Sequence, residues 1–259
     1  MRGSSSNPVP TPLKTPRRGT VKLGAALARC AACEIRGQTF CSALHDDELG
    51  RLQSIVAQFR VAPGQLLFHE GDEAGNVFNV LSGVVKLYKF LPDGRRQITG
   101  FLFAGDFLGV AAGGILSYSA EAVSDVVVCR FVRRQLYRLF DEFPKLESRL
   151  LGITTDELAA AQDQMLLLGR KTATEKIASF LINLARRMKI ELEPNNTVPL
   201  PMPRADIADY LGLTVETVSR TLGKLAREGL IALPGVYRVT LSTAISSAVQ
   251  TNEVHVFVR

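Results

Sequence analysis

The segment that most restricts how this chain can fold runs from Arg204 to Leu225, where two short apolar-periodic stretches meet at a glycine. Ile207, Ala208 and Leu211 share one face of the first stretch, and Val218, Leu222 and Leu225 share one face of the second. That spacing is the mark of amphipathic helices. Gly212 permits a tight turn between them, and the small Ala208 lets the second helix cross close to the first. What the second helix leaves outside is polar. Thr214 stands at its N-cap position, and Glu216, Thr217, Ser219 and Arg220 project near its start, followed by Lys224 and Arg227. Arg can pair bidentately with guanine, Glu can accept from cytosine and Ser can contact either base type. Thr214, Lys224 and Arg227 suit phosphates. The reading is a helix-turn-helix whose second helix enters a major groove of double-stranded DNA. Gly229 stops that helix, and Leu230–Leu233 and Tyr237–Leu241, joined around Pro234-Gly235, read as a wing hairpin.

Upstream, the pattern changes twice. Gln65–Phe68, Val77–Leu81, Val84–Phe90, Gln97–Phe103 and Val126–Val132 are strand-like, and Pro63-Gly64, Ser82-Gly83, Pro92-Asp93-Gly94 and Gly105-Asp106 separate them. Short strands with regular turns predict a small antiparallel barrel or jelly roll. A long helix follows, with Pro144 near its start and Gly169 past its end. Leu151, Thr154, Leu158, Ala161, Met165 and Leu168 fall at alternating spacings of three and four along it. That is an a/d seam, which predicts pairing with a second copy of the chain. The expected fold class is α+β: a barrel, a dimerisation helix and a C-terminal winged helix-turn-helix. The expected divisions are a disordered basic tail over 1–29, a sensor segment and barrel over 30–142, the dimerisation helix over 143–169, the DNA-binding domain over 170–247 and a tail over 248–259.

Charge sharpens this division. The net charge of +6 equals the contribution of Arg2, Lys14, Arg17, Arg18, Lys22 and Arg29, so it belongs to the leader. Residues 30–169 carry 13 basic and 17 acidic side chains, and residues 170–259 carry 12 and 8. The basic back half is the half that carries the helix-turn-helix. No apolar run approaches the ~20 residues that span a bilayer, and the start lacks the pattern of a signal peptide. The expectation is a cytoplasmic protein with no membrane partner. His45, His69 and His255 are the three histidines, and none lies in a nucleophile or metal motif, so an enzyme is not expected.

The four cysteines are unevenly placed: Cys30, Cys33 and Cys41 cluster before the barrel, and Cys129 lies in its last predicted strand. Structural disulfides are rare in the cytosol, so the cluster points to metal. Three close thiolates and a remote one can hold a [4Fe–4S] cluster. A structural zinc site also fits the count, although zinc ribbons favour two close pairs. Unliganded thiols remain a third reading, since a lone strand cysteine commonly acts as a small apolar side chain.

The run Leu211-Gly-Leu-Thr-Val-Glu-Thr-Val-Ser-Arg220 resembles the recognition motif of the cyclic-AMP receptor/fumarate–nitrate reductase regulator superfamily, and its Glu-x-x-Ser-Arg order is similar to the fumarate–nitrate branch. Gly71-Asp72, Leu81-Ser-Gly83, Asp93–Phe101 and Gly105-Asp-Phe-Leu-Gly109 resemble that branch too, so the likeness spans about Cys30 to Thr240. It implies a homodimeric activator in which Glu216, Ser219 and Arg220 read a palindromic TTGAT-type site. It implies a [4Fe–4S] cluster on Cys30, Cys33, Cys41 and Cys129 that responds to oxygen, although the seven-residue gap before Cys41 is longer than in the best-known member. Cyclic-nucleotide sensors of the superfamily carry a Glu and then an Arg-Ser pair after the Gly-Asp-x-x-Gly turn. Here Val110-Ala111-Ala112 and Tyr118-Ser119 stand there, so no cyclic nucleotide is expected. A cluster-free or haem-based regulator of the same fold is the alternative, with His69 as the barrel's candidate axial ligand. RNA polymerase is the implied further partner, with Lys86–Gln97 as a candidate contact hairpin or else a plain solvated turn. Relatives place an acidic residue in the dimer seam where Ala161 stands, which implies easier pairing here.

Overall fold

A computed structural model describes residues 30–191 and 196–249. The predicted leader over 1–29 and residues 250–259 of the predicted tail lie outside the described residues.

The N-terminal segment is a series of 3-10 turns at Cys30–Ala32, Arg36–Gln38 and Phe40–Ala43, followed by the short helix α1 (Leu49–Gln53). Eight strands then form a roll of two four-stranded antiparallel sheets. One sheet orders β1 (Val56–Val61), β8 (Val126–Val132), β3 (Asn76–Ser82) and β6 (Phe107–Leu108); the other orders β2 (Leu66–Phe68), β7 (Ser119–Ala122), β4 (Val85–Phe90) and β5 (Arg96–Leu102). Phe68, Phe78, Val80, Leu102, Leu108, Leu116, Ala120 and Val128 fill the space between them. The architecture is therefore a jelly-roll-like pair of sheets, and the barrel is not closed.

The strands β3 and β8 explain their own sequences. Both read as near-continuous apolar runs because both of their faces are covered. One face looks into the roll. The other is covered by the N-terminal turns together with α2 (Arg133–Glu142) and α3 (Pro144–Arg170). Sequence periodicity did not reveal β1, β6, β7, α2 or the short β9 (Thr197–Pro199). The strand β6 has two residues, and β7 is Ser-Ala-Glu-Ala, which lacks the β-branched side chains that signal a strand. In α2, Leu136, Leu139 and Phe140 supply the buried stripe.

The helix α3 spans 27 residues, or about 40 Å at ~1.5 Å per residue. Leu146 and Ile153 are buried against the N-terminal segment, and Leu167 is buried in the core of the C-terminal domain. That domain contains α4 (Ala173–Arg187), α5 (Arg204–Leu211), α6 (Val215–Arg227) and a sheet ordered β10 (Ile231–Gly235), β11 (Arg238–Leu241), β9. A capping box between Thr172 and Glu175 starts α4. The tip of the wing falls at Val236-Tyr237, two residues beyond the predicted Pro234-Gly235 turn, because the register shifts between Ala232 and Gly235.

The two halves are joined face to face. Val84, Tyr88, Ile98 and Phe101 belong to the same apolar cluster as the inner residues of α4, α5 and α6. Over this contact lies an ion cluster. The Lys86 ammonium meets Glu121 and Asp206, each at 3.0 Å, and the Arg96 guanidinium meets Asp206 and, at 2.7 Å, Asp209. Gln97 donates to the Asp209 carbonyl at 2.6 Å. The base of the Lys86–Gln97 hairpin is thus an interdomain contact and not a solvated turn. Asp206 is buried and shared by two cations, so Asp206→Ala takes one anionic partner from each and leaves Lys86 with Glu121 alone and Arg96 with Asp209 alone. That change should cost about 1–3 kcal/mol, read as a lower denaturant midpoint. A variant melting with the parent would show that the cluster does not hold the halves together.

Candidate functional site

The helix-turn-helix has the geometry its sequence predicts. Gly212 caps α5 in the left-handed conformation at φ 61°, with its N–H donating to the Ala208 carbonyl. Thr214 caps α6, accepting from the Thr217 N–H at 3.1 Å. Val218, Leu222 and Leu225 turn inward and are buried, while Glu216, Ser219, Arg220 and Lys224 are exposed and Thr217 is half-buried. The Glu216 carboxyl is held below the usual carboxylate range by its own backbone N–H, then by the Thr214 hydroxyl and the Arg220 charge. It is therefore ionised and able only to accept, which suits a base that donates. The structure brings Thr214, Glu216, Thr217, Ser219, Arg220 and Lys224 onto one helix end that no other part of the described chain covers.

The predicted seam is exposed. Leu151, Leu158 and Met165 are 67%, 60% and 69% exposed on α3. Thr154 and Ala161 are also exposed, and Leu168 is half-buried. One methyl group of Leu168 lies near the backbone of Gly212, so the end of the seam touches the turn of the helix-turn-helix. A stripe of large apolar side chains along a helix of this length is the surface a second copy would cover.

Three of the four cysteines, from both segments, share one apolar cluster, and Cys33 is half-buried outside it. Cys30 and Cys41 pack at the edge of the apolar cluster that contains Cys129, Phe40, Phe131, Leu146 and Ile153. Burial pushes the Cys41 and Cys129 thiols up to about 12, and Cys30 and Cys33 act on each of them in the same direction. Cys30 is raised by burial and then by Cys33. Without a cation these sulfurs hold their protons; iron would displace them. Among the described residues no group of three His, Cys, Asp or Glu side chains could hold a single metal ion. Zinc needs four ligands converging on one point at ~2.3 Å for sulfur, whereas a cluster spreads its thiolates over several irons. His69 is exposed, and its backbone N–H donates to Asp72.

Two residues that sequence analysis did not single out adjoin the sulfurs. Asn79 Nδ2 donates to Cys41 Sγ at 3.5 Å, and Gln58 Nε2 donates to Cys129 Sγ at 3.9 Å. A signal did exist: Asn79 interrupts the apolar run Val77–Leu81, where a polar residue needs a partner.

Comparison with known proteins agrees with both halves. Residues 58–143 match the cyclic nucleotide-binding domain family, and residues 175–244 match the Crp-like helix-turn-helix domain family. The nitrogen fixation regulation protein FixK of Bradyrhizobium diazoefficiens is 46% identical over 204 residues, which are 79% of this chain and 86% of that protein. The transcriptional activator protein FnrL of Cereibacter sphaeroides is 40% identical over 220 residues, 83% of this chain and 89% of that protein. The solved structure of FixK2 from Bradyrhizobium japonicum superposes with a TM-score of 0.71 at 36% identity, covering 77% of this chain and 100% of the other.

The exposed stripe gives a direct test. Leu158→Glu would place two like charges in the seam, so at micromolar concentration its dimer dissociation constant should rise at least ~10-fold, the equivalent of ~1.4 kcal/mol. Sedimentation equilibrium reads it, and an unchanged constant would move the dimer contact elsewhere.

Proposed function

This chain belongs to the cyclic-AMP receptor/fumarate–nitrate regulator family of DNA-binding transcription regulators, and we propose that it is an oxygen-responsive member that activates genes from a palindromic TTGAT-type site. In this reading Cys30, Cys33, Cys41 and Cys129 hold a [4Fe–4S] cluster. The observation that carries it is the meeting of the two cysteine segments in the one apolar cluster that also seats the inner face of α3. The donor set fits: of four thiols three are raised by burial, and two of these lie beside carboxamides that can donate to sulfur. When bound, such a cluster supplies an oxygen-labile covalent tie between the N-terminal turns and β8.

The chain's own residues turn that tie into a DNA-binding state. Phe40 packs edge-on against Phe107 and Phe131, each with centroids 5.3 Å apart. Leu146 and Ile153 rest on the same cluster. Lys145 of α3 meets Glu48, and Arg51 meets Glu142, so charges also fasten the N-terminal segment to α2 and α3. With that segment seated, α3 keeps its outer stripe aligned for a second copy. The paired helices set two copies of α6 about 34 Å apart, the spacing of adjacent major grooves. Arg220, Glu216 and Ser219 then read base edges, and Thr214 and Lys224 hold phosphates. Cluster and DNA favour the same dimer, so each raises affinity for the other. Ala161 in the seam adds no repulsion, which favours a dimer that persists in part without the cluster.

In this reading the roll takes no cyclic nucleotide, which is supported by Val110-Ala111-Ala112 and Tyr118-Ser119 after the Gly-Asp-x-x-Gly turn and by the Gly109 N–H already donating to the Tyr118 hydroxyl. The exposed Phe90 and Leu91 at the tip of the β4–β5 hairpin suit contact with RNA polymerase. A cluster-free regulator of the same fold is the second reading, in which the buried Cys41 and Cys129 thiols are small apolar side chains of the cluster around Phe40.

Two measurements test this reading, and the first separates it from the cluster-free one. Protein purified without air should be brown and contain iron and sulfide, and Cys129→Ser should lose most of both; colourless, iron-free parent protein would leave the cluster-free reading. Arg220→Ala should weaken binding to a TTGAT palindrome by ~1–3 kcal/mol per half-site, with little change on unrelated DNA. Unchanged operator affinity would remove Arg220 from base reading.

A further inference from the structure

The strand register aligns four residues in one row across the sheet. Gln58 of β1 is paired with Cys129 of β8, Cys129 with Asn79 of β3, and Asn79 with Phe107 of β6. Directly opposed residues in antiparallel strands share a face, so both carboxamides flank the Cys129 sulfur on the side covered by Phe40. Gln58 reaches Cys129 and Asn79 reaches past it to Cys41. Asn79 is 2% exposed, and its Oδ1 has no hydrogen-bond partner. A buried carboxamide half-satisfied among Val77, Phe131 and Phe40 is destabilising relative to a satisfied one. An apolar residue of the same shape would cost less there. The amide N–H groups are well matched to one thing in that surrounding: a sulfur carrying negative charge. Neutral thiols are weak acceptors, whereas thiolates bound to iron are much better ones.

We infer that Asn79 and Gln58 are positioning residues for the iron site, donating N–H···S hydrogen bonds to the Cys41 and Cys129 thiolates and thereby setting the cluster's reduction potential and its lifetime in air. The inference rests on the cluster reading above. Hydrogen bonds to the sulfurs withdraw negative charge and favour the reduced, more electron-rich cluster. Removing them lowers the potential and makes the bound iron easier to oxidise. Because the two donors serve different thiolates, their losses should accumulate.

The test uses full-length protein purified without air: the parent, Asn79→Leu, Gln58→Leu and the double variant. Iron content, visible spectrum, midpoint potential by redox titration and bleaching rate in air are compared, with thermal melting of the same samples. At matching iron content, each single variant should show a lower potential and bleach several-fold faster, and the double variant faster still. Loss of iron at an unchanged melting temperature also supports the inference, because the donors would then be needed to hold the site at all. Gln58 is only half-buried, so its variant should fold even if the Asn79 change disturbs β3. Parent-like potential and bleaching in Gln58→Leu and the double variant would overturn it. A parent protein without iron would overturn the cluster reading itself, and this inference with it.

Discussion

Phe40 sits edge-on between Phe107 and Phe131, and almost everything the molecule can do follows from what shares that site. The residue is fully buried, as are Leu44 and Leu52 from the same segment. Against them pack Cys129 from the sheet and Leu146 and Ile153 from the long helix. The backbone hydrogen bonds of this segment of 3-10 turns join only near neighbours in the chain, so its position against the sheet and α3 depends on this packing, on its ion pairs to Lys145 and Glu142 and on its thiols. Anything that ties or releases the cysteines therefore acts on the inner face of α3 without passing through the roll. The path is short: cysteine sulfurs and helix side chains belong to one cluster.

The far end of α3 meets the DNA-reading domain in a similar way. Leu167 is part of that domain's core, and Leu168 lies against Gly212 at the turn between α5 and α6. Alongside, Lys86 and Arg96 grip Asp206 and Asp209 of α5. The Arg187 guanidinium also meets Asp106 across the same interface. The Lys86–Asp206 pair is buried on both sides, and breaking such a pair is costly, so it helps hold the helix-turn-helix against the β4–β5 hairpin. One helix with two buried ends and an exposed apolar middle then links the cysteine-bearing cluster to the DNA-reading domain.

Much of this was legible in the sequence because it rests on local rules. Gly212 and the inward stripe of α6 follow from periodicity and turn chemistry, and the stripe on α3 from spacings of three and four. The strands β3 and β8 stood out as continuous apolar runs. What escaped has a physical reason in each case. The strand β7 is made of small and acidic residues that pack because Ala120 and Ala122 leave room for their neighbours, and no propensity scale rewards that. The strand β6 is too short to carry a period. The ion cluster around Asp206 joins residues more than a hundred positions apart, so no local pattern marks it. Asn79 did leave a trace, as a polar residue inside an apolar strand, but its sulfur neighbour comes from a segment that only the fold brings near. The four cysteines were visible as a group by spacing and by likeness to a family, while their common neighbour, the inner face of α3, was not.

Hydrogen exchange along α3 tests this coupling most directly. Amides of residues 144–157 should be well protected in cluster-loaded protein kept from air and should exchange markedly faster once the iron is removed, while amides of α4 stay unchanged. Equal protection of the 144–157 region in both states would contradict it, since the sulfurs would then have no hold on the helix that pairs the subunits.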